Sequence, residues 1–205
     1  MGIAPKKRTR IQAENESRIV ASALDIFAQY GYRGATVDKI ADAAGMSKAN
    51  VLYYFGRKEE IYTAVLEHTL SVWLDPLKSL DANGDPQQEL AKYIRAKLTL
   101  SRRESEASRL FANEILHGAL MIKSYLENEL KVLVNEKCGV IEQWIHDGKL
   151  VAIKPVHLLF LIWSSTQHYA DFAPQIRALH DGDEDSLYQE AEACLVTVIL
   201  NGLKP

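Results

Sequence analysis

Apolar positions recur at intervals of three and four along most of this chain and nowhere alternate as a half-buried strand would, so the pattern predicts helices throughout. A first helix is expected over 14–30, with Ile19, Ala23, Leu24 and Phe27 on one face and Gly31 and Gly34 closing it. Two short helices follow within TVDKIADAAGMSKANVLYYF, residues 36–55. Ile40, Ala41 and Ala44 give the first an apolar face; Val51 and Leu52 begin that of the second. Thr36 and Ser47 are expected N-caps, and Gly45 between them suits the left-handed residue that ends a helix and turns the chain. Tyr62, Leu66, Thr69, Trp73, Leu77 and Leu80 mark a fourth helix over 57–80. Its ~24 residues at ~1.5 Å each make a rod of ~36 Å, longer than a three-helix head needs, so it is expected to reach a second domain. Ala82-Asn-Gly-Asp-Pro86 is the clearest break, with Asp85 as N-cap, Pro86 at the first helical position and Gln88 completing a capping-box pattern. Helices are expected next over 86–103, 105–118 and 124–147, the last ended by Gly148. Pro155 opens a helix over 155–179 that Pro174 should kink or shorten, and a polar loop over 180–185 precedes a final helix over 186–201, ended by Gly202. The fold class is therefore all-α, divided into a basic arm (1–13), a helix-turn-helix head (14–56) and a larger helical domain (57–205).

Two short helices meeting across a tight glycine turn form a helix-turn-helix, whose second helix lies in the DNA major groove. The outward positions of that helix are Lys48, Ala49, Asn50, Tyr53 and Tyr54: a phosphate-seeking cation, a small residue allowing close approach, an amide able to read adenine, and two phenols. Tyr53 and Tyr54 cannot share a face, and Tyr54 is assigned inward. Lys39 and Lys58 flank the motif and are expected on phosphates rather than as mere solvated surface. With Thr36 and Ser47 these residues make up the expected DNA-contact set. Arg8 joins it from the arm, where Lys6, Lys7, Arg8 and Arg10 either follow the phosphates or minor groove or serve only as a solubilising tail. Charge agrees: up to Lys58 there are ten Lys and Arg against five Asp and Glu, yet the whole chain is −3, so the remainder carries −8. One end is built for a polyanion and the other for something else.

Composition removes other classes. No apolar run is long enough to span a membrane, and no apolar core follows the basic N-terminus as in a secretory signal. Cys138 and Cys194 lack CxxC spacing, which fits a reducing cytoplasm and no zinc. There is no GxSxG, HExxH, P-loop or GxGxxG, and the histidines show no metal-binding i, i+4 pair, so no catalytic residues, metal or cofactor are expected. The helix over 155–179 carries two apolar stripes, Val156–Phe160–Trp163–Gln167–Ala170 and Leu158–Ile162–Ser165–Tyr169–Phe172–Ile176, and so requires cover on both sides. A second subunit is the expected cover, with Leu187, Ala191, Leu195, Val198 and Ile199 of the final helix in the same homodimer interface. A symmetric dimer sets its recognition helices ~34–36 Å apart, matching a palindromic operator.

From about Arg18 to Leu66 the chain, ALDIFAQYGYRGATVDKIADAAGMSKANVLYYFGRKEEIYTAVL, resembles the Tet-repressor (TetR) family of bacterial transcriptional regulators. Gly56-Arg57 stands where many members have Pro-Ser, which leaves the first residue of the fourth helix open. The resemblance implies a three-helix DNA-binding head joined by a long fourth helix to a larger ligand-binding and dimerisation domain. In that domain VWLDPLKSL, YIRAKLTLSRRESEASRLFANEIL and IWSSTQHYADFAPQI resemble the members that repress pyrimidine-utilisation genes, which implies uracil or thymine as effector. A flat ring with an imide edge needs a face to stack on and a polar group for that edge. The expected ligand set is Trp73, Leu77, Phe111, Glu114, Trp163, Gln167 and His168, with Gln167 foremost because its amide matches an imide's donors and acceptors. The aromatics also read as plain core, Glu114 as a paired carboxylate, and His168 as a local partner of Asp171. The alternative is a repressor of the same family answering to a different small planar or apolar molecule.

Overall fold

The computed structural model describes residues 10–205, and all regular structure within them is helical. Arg8 and the rest of the segment before Arg10 lie outside the described residues. Helix α1 (Arg10–Gly34) starts earlier than expected, its first turn braced by an Arg10–Glu14 ion pair at 2.8 Å. Its helical geometry breaks at Gly31 (φ 65°, ψ 170°), so Tyr30 does end the regular run. Helices α2 (Val37–Ala44) and α3 (Lys48–Phe55) follow. Thr36 Oγ1 accepts from the Lys39 N–H at 3.3 Å and Ser47 Oγ from the Asn50 N–H at 3.2 Å, satisfying donors that a helix start leaves unpaired. Gly45 is left-handed (φ 63°, ψ 38°), and the turn is sealed by Met46 N–H donating to Ala41 O at 2.9 Å. Gly56, at φ 62°, ends α3, and α4 (Lys58–Lys78) then starts at Lys58, settling the position that Gly56-Arg57 left open.

The chain forms two compact units, dividing between His68 and Thr69. The first core holds Ile19, Ala23 and Phe27 of α1, Ile40, Ala41 and Ala44 of α2, and Val51 of α3. The first turns of α4 add Ile61, Tyr62, Val65 and Leu66, with Tyr62 edge-on to Phe27 at 4.9 Å. The later turns of α4 bury Leu70, Trp73, Leu74 and Leu77 in the second unit.

That unit continues with α5 (Pro86–Arg103), capped as expected by Asp85, whose Oδ1 accepts from Gln88 N–H at 3.0 Å. Helix α6 (Ser105–Leu116) stops short of 118 because Gly118 (φ 97°) and Ala119 (φ 55°) reverse the chain. The helix expected over 124–147 is instead a short α7 (Lys123–Tyr125), a π-helical turn (Leu126–Leu130) and α8 (Lys131–His146). Pro174 shortens the next helix as predicted: α9 (Pro155–Asp171) ends at Phe172, and α10 (Ala173–Leu179) begins with that proline in its first turn. Helix α11 (Glu184–Gly202) starts two residues earlier than expected, because Asp183 caps it through the Ser186 N–H at 2.8 Å. Helix α9 packs against α5, α6 and α8, and α11 lies on α5. Ser101 Oγ of α5 donates to Thr166 O of α9 at 2.8 Å, locking the central pair.

Burial corrects the two expected stripes of α9. Pro155, Leu158, Leu159, Ile162, Thr166 and Ala170 are buried, whereas Phe160, Leu161 and Phe172 are exposed, as is Val198 on α11. The apolar character is divided between a covered face and an open one.

Candidate functional site

The first candidate site is the outward face of α3 in the first unit. Val51 faces the core, and Tyr54 is tied inward by its hydroxyl, which accepts from Asn15 Nδ2 at 2.8 Å. Tyr54 therefore leaves the group of freely projecting phenols. Lys48, Ala49, Asn50 and Tyr53 all project outward, Tyr53 with 74% of its surface exposed. Lys48 Nζ pairs with Asp38 at 2.9 Å, but both side chains are more than half exposed, so the pair is weak and easily exchanged for a phosphate. Lys39 donates to Gly34 O at 3.3 Å and lies 3.7 Å over the Tyr30 ring. Lys58 is held more firmly than a free surface cation: it is half-buried, donates to Tyr32 O at 2.9 Å and Ala35 O at 3.1 Å, and sits over the Tyr32 ring. Its charge caps the end of α1, and a phosphate would have to compete for it.

The second candidate site is a cavity of about 290 Å³ within the second unit, at the small end of the usual range for small-molecule sites. Helix α4 supplies Thr69, Leu70, Trp73 and Leu74; α6 supplies Ser108, Phe111 and Ile115; α9 supplies Trp163 and Gln167. The π-helical turn contributes Leu126 and Leu130, and α5 contributes Lys97. The walls are mostly apolar, with indoles and a phenyl ring able to stack a flat ligand and few polar groups. Trp163 is fixed by its Nε1–H, which donates to the Tyr93 hydroxyl at 2.6 Å; burial pushes the Tyr93 pKa well up. A wider cleft of about 630 Å³ lies along α4 and α5, bordered by Asp75, Glu89 and Lys92, and it opens to solvent. The smaller and less open cavity is the better ligand site because it removes more of a small ring from water.

Lys97 is the unexpected member. Only 3% of it is exposed, its Nζ lies 3.9 Å over the Trp73 ring, and burial lowers its pKa to about 7, opposed by the charge of Asp171. Asp171 is raised by its own burial, against the lowering effects of a hydrogen bond from Ser108 Oγ at 2.5 Å and of nearby Arg109, His168 and Lys97.

Trp73, Phe111, Trp163 and Gln167 thus meet around one cavity, and three expected ligand residues do not. Leu77 is wholly buried one turn beyond Trp73, inside the core. Glu114 turns toward its own loop, where its Oε1 accepts from the Met121 N–H at 2.9 Å. His168 is exposed and stacked on Phe172 at 4.8 Å; each helical residue turns ~100° from the last, so a neighbour of Gln167 cannot share its direction. Among the described residues no group of His, Cys, Asp and Glu could hold a metal ion, and no helix is long and apolar enough to cross a membrane.

These two sites coincide with two matched protein families. Residues 19–65 match "Bacterial regulatory proteins, tetR family", and residues 66–205 match "YcdC-like protein, C-terminal region". The chain is 42% identical over 201 residues to the HTH-type transcriptional regulator RutR of Escherichia coli K12, covering 97% of this chain and 95% of that one. It is 26% identical over 148 residues to the HTH-type transcriptional repressor NicS of Pseudomonas putida, covering 70% and 69%. Among solved structures, the fatty acid degradation regulator FadR from Bacillus halodurans superposes with a TM-score of 0.68 at 19% identity, over 93% of this chain and 97% of that one. The ketosteroid transcriptional regulator KstR2 of Mycobacterium tuberculosis does so with 0.65 at 20% identity, over all of both chains. At those identities the likeness is one of fold.

Proposed function

This chain belongs to the TetR family of bacterial transcriptional regulators, and on that premise we propose that it represses pyrimidine-catabolism genes and leaves its operator when uracil or thymine fills the α4–α6–α9 cavity. The observation that carries the reading is the meeting of Trp73, Phe111, Trp163 and Gln167 around one small, largely apolar cavity. Flat rings stack on aromatic walls, and the Gln167 amide offers a donor and an acceptor to an imide edge. The 42% identity to RutR over nearly the whole chain supports the same reading.

The working unit in this proposal is a homodimer through α9 and α11, whose open faces carry Phe160, Leu161, Phe172 and Val198. Two copies of α3 then enter successive major grooves of a palindromic operator, with Asn50 and Ala49 toward base edges and Lys48, Tyr53, Lys39, Thr36 and Ser47 toward phosphates. Lys58 joins them only by releasing its carbonyl partners. Helix α4 contributes residues to both units and is the natural carrier of the signal. Effector weakens DNA binding by its differential affinity for two dimer conformations, typically ~1–3 kcal/mol, or a factor of ~5–150.

Calorimetric titration with uracil, thymine, cytosine and adenine tests the effector. Saturable micromolar binding of the first two alone is expected; silence for all four leaves the regulator and removes the pyrimidine. Two substitutions separate the sites. Asn50→Ala should weaken operator binding by ~1–3 kcal/mol with ligand affinity intact, and Gln167→Leu should leave operator binding but abolish release. Loss of both activities in either variant would break this division of labour.

A further inference from the structure

We infer that Lys97 reads the effector: its ammonium receives a carbonyl oxygen of the bound ring, and the Trp73 indole N–H stands beside it as a second donor. The inference rests on the effector reading above and narrows it to a ring with acceptor oxygens at that edge.

Two donors at this cavity have no acceptor. Trp73 Nε1 is buried without a hydrogen-bond partner. Lys97 lines the same cavity at 3% exposure, and its contacts are the face of the Trp73 ring and the more distant charge of Asp171. Asp171 does not neutralise it at close range, because that carboxylate is engaged by the Ser108 hydroxyl and shares its field with Arg109 on α6 and His168 on its own helix. A buried donor left unpaired is costly, more so when charged. A purely apolar occupant would leave both donors unpaired. A planar ring bearing carbonyl oxygens would satisfy them while its faces lie against Trp163 and Phe111. The cavity is therefore matched to acceptors, which disfavours the apolar alternative and favours a dioxopyrimidine.

Burial holds the Lys97 pKa near the physiological range, and an acceptor oxygen placed on Nζ favours its charged form. Asp171 on α9 is the charged group that acts on Lys97, and it favours the ammonium; Arg109 on α6 and His168 on α9 act on that carboxylate in turn. Binding at mildly alkaline pH should thus draw a proton from solution.

The test is calorimetry of uracil and thymine into the full-length protein at about pH 8 in buffers of different ionisation heat, for the unsubstituted chain, Lys97→Met and Trp73→Phe. Lys97→Met should lower affinity about ten- to a hundredfold and erase the buffer dependence. Trp73→Phe, which keeps a ring and removes the N–H, should weaken binding less and retain proton uptake. Replacing a buried amine by an isosteric apolar chain leaves the fold intact, which circular dichroism checks. If Lys97→Met binds uracil as the unsubstituted protein does, Lys97 is only core packing and the inference falls with the pyrimidine reading still standing. If the unsubstituted protein binds neither base, both fall together.

Discussion

A lysine ammonium inside an apolar wall is costly to fold around unless something receives it or its proton is lost. In Lys97 the second outcome competes with the first, because burial lowers its pKa from 10.5 to about 7. Between those values the unfolded chain holds a proton that the folded one lacks, so this residue makes the protein more stable as pH rises from about 7 toward 9, with a slope of at most ~1.4 kcal/mol per pH unit. The raised Tyr93, Tyr169 and Tyr188 act in the opposite direction only near and above their ordinary value of 10.0, the raised Cys138 does so near and above 9.0, and the raised Asp171 acts in acid, so the Lys97 slope is read at the lower end of this window. Urea midpoints measured across that window should climb for the unsubstituted protein and stay flat for Lys97→Met; a slope surviving the substitution would assign it to another group. Sequence reasoning missed Lys97 because a helical lysine is ordinarily solvated. The signal was present all the same: Leu90, Ile94, Lys97 and Ser101 follow one another at helical spacing, so the amine sits on the buried stripe of α5. Trp73 and Gln167 were legible for the complementary reason, an aromatic and an amide standing where the pattern demands plain aliphatics.

At the scale of elements, short-range chemistry decides more. Thr36, Ser47, Asp85 and Asp183 each cap the helix that follows through a hydrogen bond reaching three residues along the chain. Gly45 makes the turn between α2 and α3, and a Cβ built there meets nothing within 4 Å. Gly45→Ala therefore has no steric cost; it should destabilise the head by ~1–2 kcal/mol purely through the left-handed backbone, read as a lower melting temperature with a matching loss of operator affinity. A variant as stable as the original would mean the turn can be made another way. The π-helical turn at Leu126–Leu130 is the opposite case. No residue in it announces a widened turn, yet it sets Leu126 and Leu130 on the cavity wall, and such turns often mark functional sites.

For the molecule as a whole, the open face of α9 is the feature a monomer does not explain. Phe160 and Leu161 are exposed on a helix whose opposite side packs against α5 and α6, and Phe172 is exposed just beyond its end. A charge placed there should separate the subunits without touching either core. Leu161→Glu is expected to sediment as a monomer with an unchanged helical spectrum, and to bind the operator at least ~100-fold more weakly, because two half-sites are no longer held by one particle. A variant that remains dimeric would move the interface elsewhere.

Sequence alone determined the helical class, the helix-turn-helix with its caps and glycine turn, the outward residues of α3, and the family, because each rests on neighbours within about a turn of one another. Tertiary structure decided what depends on distant helices converging: that Lys97 is buried while His168 is exposed, that Glu114 turns to its own loop, and that α9 has one covered and one open face. Periodicity tells which residues share a side of a helix. Whether that side meets another helix, a cavity or solvent is set by how α4, α5, α6 and α9 pack together, and that information is spread over residues far apart in the chain.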